Sequence, residues 1–213
     1  NWFKSHGVVT GGDYPELGDG STCMAYAFKP CAHHVPASEK YDTCPTKEYS
    51  AHCKAECEDG YGSDYVQDKV GAQTAYSVRG ITQIQQDLLD NGPLYVAFTV
   101  YDDFPTYKSG VYQHTSRKQL GGHAVTMVGW GTLDGQDSWR IKNSWNEQWG
   151  DNGHFLIKRG HNECGIESSA GAGKVDGSPA PPSPPPPPPP AGCPGQDDEA
   201  GCEALDNCEW CDH

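Results

Sequence analysis

Residues 121–145 read GGHAVTMVGWGTLDGQDSWRIKNSW, and the fold turns on how this stretch is parsed. Residues 124–130 and 138–143 each hold the β-branched and aromatic residues of a strand. Asp134-Gly135 between them is the dipeptide favoured by a two-residue hairpin turn, whose central positions need positive φ. Pairing across that turn makes the two segments neighbours. His123, after two glycines at the mouth of the first, can then meet Asn143 at the end of the second. A thiol nucleophile needs a base to hold it as thiolate, and imidazole does so near neutral or mildly acid pH. The imidazole in turn needs an orienting hydrogen bond, which a carboxamide oxygen can accept. Trp145 can roof that bond and keep water away from it. A lone histidine at a strand end reads as a packed or surface residue, and a lone Asn-Ser-Trp as a turn. Only the joint pattern points to nucleophilic catalysis.

Working outward, residues 154–159 form a third candidate strand, giving a compact antiparallel, barrel-like sheet. Upstream, Ile81, Ile84, Leu88 and Leu89 fall on one helical face, which predicts a helix over 81–91. Asn91-Gly92-Pro93 stops it, because a residue tolerant of positive φ precedes a ring that cannot continue the helix. Residues 94–101 alternate, with Leu94, Val96, Phe98 and Val100 on one face and Tyr95, Ala97, Thr99 and Tyr101 on the other. Residues 19–64 hold five cysteines and several prolines with no sustained period, and read as disulfide-stapled loops. The fold class is therefore α+β.

The net charge of −14 makes nucleic acid and anionic membranes poor partners. No apolar run of about 18 residues exists, so no membrane span is expected. Ten cysteines, mostly clustered in loop-like sequence, suit an oxidising compartment, so a lysosomal, vacuolar or extracellular setting is expected. The alternative, a zinc-binding module, has only Cys208-Glu-Trp-Cys211 with paired spacing. No cofactor or metal is called for. The chain opens with Asn1-Trp2-Phe3 rather than methionine, which reads as a processed chain or a fragment. Residues 178–192 are mostly proline and form a semi-rigid spacer on the order of 40 Å long. Residues 193–213 carry four cysteines, seven acidic residues and no Lys or Arg. So small a unit needs cross-links to fold, and reads as a disulfide-rich microdomain or a dispensable acidic extension.

Gly121-Gly122-His123-Ala124, Lys142-Asn143-Ser144-Trp145-Asn146 and Trp149-Gly150-Asp151-Asn152-Gly153 together resemble the second half of a papain-family cysteine peptidase. Gly11-Gly12-Asp13-Tyr14, Asn91-Gly92-Pro93, Tyr107-Lys108-Ser109-Gly110-Val111-Tyr112 and Cys164-Gly165-Ile166-Glu167-Ser168 are similar to the cathepsin B branch. The resemblance covers roughly residues 1–173 and extends the expected domain to 1–177. It implies the barrel-like right domain with part of the helical left domain, and an active site between them. It implies His123 as base and acid, Asn143 as its orienter and Trp145 as their shield. The family's Gln and Cys-Gly-Ser-Cys-Trp segments, which supply the oxyanion hole and the nucleophile, have no counterpart here. Cys164 matches a non-catalytic cysteine of the family. The chain alone is therefore expected to be inactive, and an upstream segment or light chain to carry the thiol. The alternative is an inactive, pseudo-peptidase binding fragment.

The resemblance also makes residues 31–44 an occluding loop, with His33 and His34 receiving the carboxylate of a substrate's C-terminus. Imidazolium can donate charge-assisted hydrogen bonds to such a group, although paired histidines also occur as solvated surface residues or with Cys31 on a metal. This implies dipeptidyl carboxypeptidase activity beside endopeptidase activity. It implies disulfides Cys31–Cys44 and Cys23–Cys57, and a partner for Cys53 outside the chain. Closing a loop of this length removes about 3 kcal/mol of unfolded-chain freedom. Where cathepsin B has an aspartate that ties the loop down, this chain has neutral Gln148, which predicts a looser loop. Ala97, Ala124 and Ser169 match S2-pocket positions, and Gly122, Val100 and Leu120 are further candidate substrate contacts. Peptide or protein substrates and cystatin-like inhibitors are the expected partners.

Overall fold

The alternation of residues 94–101 becomes β-strand Leu94–Tyr101, whose Leu94, Val96, Phe98 and Val100 are all buried. The computed structural model describes residues 2–14, 21–46 and 54–175. The expected proline spacer, the acidic cysteine-rich unit and Cys53 lie outside the described residues. In chain order the elements are α1 (Trp2–His6), β1 (Gly11–Gly12), β2 (Met24–Ala25), β3 (Ala72–Val78), α2 (Ile81–Asn91) and β4 (Leu94–Tyr101). There follow β5 (Val111–Tyr112), β6 (Gln119–Leu133), β7 (Gln136–Lys142), β8 (His154–Lys158) and β9 (Ala170–Val175). Short 3-10 turns at Phe104–Thr106 and Glu163–Ser168 interrupt them.

The large sheet runs β3-β9-β4-β6-β7-β8-β5, antiparallel except for the β5–β8 pair. The architecture is α+β with a dominant antiparallel sheet. Helix α2 ends where expected: Gly92 takes φ 87° and its N–H donates to Leu88 O at 3.1 Å. One element of the expected helical face is corrected. Ile84 and Leu88 are buried, but Leu89 is exposed, because it lies about 100° round the helix from Leu88. Residues 21–46 and 54–71 are irregular apart from β2 and an isolated bridge of Val70 to Val8. Two disulfides staple them, Cys23–Cys57 and Cys31–Cys44.

Aromatic rings fill the core. Phe104 is fully buried and meets Phe98, Tyr112, Trp149 and Phe155 at centroid distances of 4.8–5.1 Å. Such pairs contribute roughly 0.5–1.5 kcal/mol each beyond the area they bury. The indole nitrogens are satisfied: Trp149 Nε1 donates to Pro105 O and Trp139 Nε1 to Glu167 Oε1, both at 2.9 Å. The Trp149-Gly150 turn depends on a missing side chain. Gly150 sits at φ 61°, and a Cβ there would lie 2.6 Å from His154 O.

The segment between β5 and β6 is pinned by one carboxylate. Asp103 accepts hydrogen bonds from the Tyr112 hydroxyl, the Thr115 N–H and hydroxyl, and the Ser116 N–H at 2.7–3.2 Å. Burial pushes the Asp103 carboxyl up, but these donors outweigh it and hold it at about 2, below the ordinary 3.8. A depressed carboxylate stabilises the fold fully above its unfolded value and loses that contribution as pH falls through the folded one. Asp103→Ala is expected to lower unfolding free energy by about 1–3 kcal/mol at neutral pH. Urea titrations of parent and variant should converge between about pH 4 and about pH 2. A gap that is unchanged in acid would contradict the assignment.

Candidate active site

Asp134 and Gly135 take φ 51° and 73°, so the hairpin turn forms as its residues require. Register then runs from Leu133↔Gln136 through Trp130↔Trp139 to Gly129↔Arg140. A bulge follows, and pairing resumes at Met127↔Ile141 and Thr126↔Lys142. Met127 and Ile141 are both fully buried, so His123 and Asn143, at even steps from them, lie on the core-facing side. The side chains meet: His123 Nε2 to Asn143 Oδ1 is 2.9 Å. Asn143 Oδ1 also accepts the Ser144 N–H at 2.8 Å. A carboxamide oxygen can only accept, so His123 carries its hydrogen on Nε2. Nδ1 takes no part in this bond.

Trp145 covers this pair. Its ring stacks on His123 at 5.4 Å and 20°, and touches Phe104 edge-on at 5.4 Å and Trp149 at 4.8 Å. The roof therefore stands on the buried aromatic core. Asn143 is itself buried, and its Nδ2 has no partner among the described residues.

The histidine loop reaches the same indole. His33 stacks on Trp145 at 5.1 Å and 17°, and His34 lies at 4.3 Å. His34 holds φ 58°, a left-handed conformation that costs a non-glycine residue on the order of 1–3 kcal/mol. Burial lowers the pKa of both rings, with the neighbouring His34 adding to this for His33 and His123 adding to it for both. His33 Nδ1 is buried without a partner among the described residues.

The loop is tied to the segment that follows Trp145. Asn146 Nδ2 donates to His33 O at 3.1 Å, and Ser38 meets Gln148 at 3.3 Å. Glu147 receives Lys40 on one oxygen and the Tyr41 hydroxyl on the other, each at 2.5 Å. Lys40 first and Tyr41 second hold the Glu147 carboxyl down at about 2. The expectation drawn from Gln148 is therefore corrected: the negative charge sits one residue earlier and takes the loop's cation.

The other candidate contacts divide. Ala97 and Ala124 are cross-strand partners on the face opposite His123, and Ala124 lines a groove of about 280 Å³ with Tyr95, Thr126, Lys142, Asn143 and Ser144. Gly122, Leu120 and Ser169 are exposed. Leu120 is skipped by the ladder at a second irregularity between Val100 and Tyr101. Val100 is corrected: its side chain is buried in the core and offers nothing to a ligand. Cys164 is buried and bonded to Glu163, and burial, then Glu163, push its thiol far above the ordinary range. Such a thiol is inert as a nucleophile.

Comparison with known proteins places this geometry. The model of the "Papain family cysteine protease" matches residues 1–173. Among curated relatives, "Cathepsin B-like cysteine proteinase 5" of Caenorhabditis elegans is 47% identical over 180 residues, covering 82% of this chain and 51% of its own length. "Cathepsin B-like cysteine proteinase 3" of Ostertagia ostertagi is 41% identical, with 82% of this chain and 98% of that protein covered. The solved structure "proCathepsin B S9 from Trypanosoma congolense" has a TM-score of 0.64 at 33% identity, covering 83% of this chain and 51% of that one. The chain spans about half the length of the first two curated relatives it matches, 49% and 51%. On the match over 1–173 and these identities, the chain belongs to the papain family of cysteine proteases, in its cathepsin B-like branch.

Proposed function

We propose that this chain supplies the base side of a Cys-His-Asn cysteine peptidase that cleaves both internal bonds and C-terminal dipeptides. The observation that carries the reading is the His123 Nε2–H bond to Asn143 Oδ1 beneath Trp145. His123 Nδ1 would take the proton of a thiol supplied from outside the chain. The thiolate attacks the peptide carbonyl carbon, the imidazolium hands its proton to the leaving amine, and a thioester remains. Water, deprotonated by the same Nδ1, then releases the acid and frees the thiol. Asn143 fixes the ring's direction and favours the imidazolium, and Trp145 keeps water from the bond between them.

His33 and His34 would receive the substrate's terminal carboxylate, which supports dipeptide release. A carboxylate gives the unpaired His33 Nδ1 a hydrogen-bond partner once that nitrogen is protonated. Ala97, Ala124 and the exposed Ser169 would line the P2 subsite, with Gly122 and Leu120 at its approach. Val175 ends the last described strand, and the proline spacer and acidic cysteine-rich unit would be an appendage to the peptidase domain. The disulfides suit a lysosomal, vacuolar or extracellular site of action, where protein substrates and cystatin-like inhibitors are the partners. Among the described residues, no helix is long and apolar enough to cross a membrane.

The first tests concern the base and the external thiol. In the natural protein, His123→Ala should lower kcat/KM on peptides by roughly 10²–10⁴-fold. The isolated 213-residue chain should not label with a thiol-directed active-site probe, and inhibitor-blocked stoichiometric labelling would reject an external nucleophile.

The second concerns pH. Without ligand both loop histidines lie below their ordinary pKa, and a bound carboxylate raises them. Dipeptide release is thus favoured in acid and is lost as pH rises through the bound-state value. The ratio of dipeptide release to internal cleavage should fall between about pH 4.5 and about pH 7.5. Glu147→Gln, which unties Lys40, should shift that ratio severalfold toward internal cleavage, and an indifferent ratio would remove the loop from the mechanism.

Third, uncharged Ser169 leaves a P2 arginine without a partner, so phenylalanine at P2 should be preferred by roughly tenfold or more. Equal turnover of Arg-Arg and Phe-Arg substrates would exclude this subsite.

A further inference from the structure

Away from the cleft, three donor atoms converge on one point. His114 Nδ1, Glu163 Oε1 and Cys164 Sγ lie within 4.8 Å of one another. The separations are 3.7 Å from sulfur to nitrogen, 3.4 Å from sulfur to oxygen and 2.5 Å from nitrogen to oxygen. The His114 N–H also donates to Glu163 Oε1, at 3.0 Å, so three donors crowd a single carboxylate oxygen. We propose that this cluster is a binding site for a zinc-class divalent cation.

Zinc bonds of about 2.0–2.3 Å to nitrogen, oxygen and sulfur place tetrahedral ligands roughly 3.3–3.7 Å apart. Both sulfur separations already fit. The nitrogen–oxygen separation must open by about 1 Å, which a turn of the His114 ring supplies. That ring is the freest of the three groups, with a side chain 36% exposed against 7% for Glu163. Its outer side gives an ion a way in and leaves the fourth position to water.

The two backbones that present the ligands are held independently of the cluster. Asp103 fixes the His114 segment through the N–H groups of Thr115 and Ser116. Glu167 fixes the 3-10 turn through Gly160 N–H at 2.6 Å, Asn162 N–H at 2.8 Å and Trp139 Nε1. Within that turn Asn162 and Cys164 hold φ 50° and 52°, a conformation non-glycine residues avoid, so the fold keeps the Cys164 side chain where it is at some cost. Tyr101 stacks on the His114 ring at 4.2 Å and 16°, which guides its plane.

The charges balance. The Cys164 thiol gives its proton to solvent, His114 gives up the Nδ1 hydrogen that faces Glu163 and keeps or gains one on Nε2 through solvent, and Glu163 is already an anion. Thiolate and carboxylate then neutralise a dication in a largely buried place. The thiolate–imidazole pair selects zinc-class ions over calcium or magnesium, which prefer oxygen ligands.

The test uses the natural protein, stripped with a chelator and with any catalytic thiol capped by an irreversible peptidyl inhibitor. Titration with Co²⁺ should saturate at one equivalent, with thiolate-to-cobalt charge-transfer absorption that Zn²⁺ abolishes. Cys164→Ser should lose the absorption, and His114→Ala should weaken binding by tenfold or more. His114→Ala alters a part-exposed ring and keeps the measurement meaningful if Cys164→Ser folds poorly. No absorption in the parent, absorption that survives Cys164→Ser, or an unchanged Co²⁺ affinity in His114→Ala overturns the site.

Discussion

One extra residue in β6 decides whether His123 and Asn143 can meet. Above the bulge, Trp130 faces Trp139, and below it Met127 faces Ile141. On β7 Trp139 and Ile141 both face inward, whereas on β6 the residues opposite them change from odd to even as the chain passes Val128. Without the bulge the register set at the hairpin would pair Thr126 with Asn143. His123, three residues from Thr126, would then project from the opposite face, because side chains alternate with a period of two. The bulge thus converts an ordinary hairpin into a device that puts an imidazole and a carboxamide on one face.

The roof over that pair joins core to loop. Trp145 rests on Phe104 and Trp149, which the core encloses, and meets His123, His33 and His34 with its remaining surface. A shift of Phe104 would move all three histidines relative to one another. The loop's other hold is electrostatic and exposed: Glu147 takes both Lys40 and Tyr41. The packing contact is insensitive to salt, while the charged one weakens with it. The loop is thereby fixed at its histidines and adjustable at its tip.

Local signals were legible in proportion to their period. Helix 81–91 and strand 94–101 emerge at their observed limits because apolar spacing and the Asn-Gly-Pro stop agree. Strands β3 and β9 gave no such signal. Ala72–Val78 carries polar residues on a mostly exposed surface, and Ala170–Val175 alternates alanine and glycine. Those glycines serve close approach: a Cβ on Gly173 would lie 2.9 Å from Thr74 O and one on Gly171 3.3 Å from Tyr76 O. The meeting of His123 and Asn143 was legible from the hairpin dipeptide, but the bulge was not, since no residue in Met127-Val128-Gly129 announces which side it takes. Glu147 was not legible, because an acidic residue in an irregular segment carries no period that names its partner more than 100 residues away. Val100 shares the face of Leu94, Val96 and Phe98, which the alternation itself marks as the buried one, so it cannot also line a groove.

The described residues leave three buried side-chain polar atoms without partners, and two of them, His33 Nδ1 and Asn143 Nδ2, flank the site. Each such atom costs about 1–3 kcal/mol relative to a paired one. The third, Arg159 Nε, belongs to a guanidinium that lies over the Trp139 ring and pairs with Asp137 through Nη2. Its unpaired nitrogen is thus offset by other contacts of the same group. The other two also belong to groups with further contacts, Asn143 through Oδ1 and His33 through its stack on Trp145, but both lie close to His123. Unpaired polarity beside a preorganised histidine is the state a binding groove must hold before its ligand arrives. The aromatic core beneath Trp145 supplies the stability that lets the fold carry it.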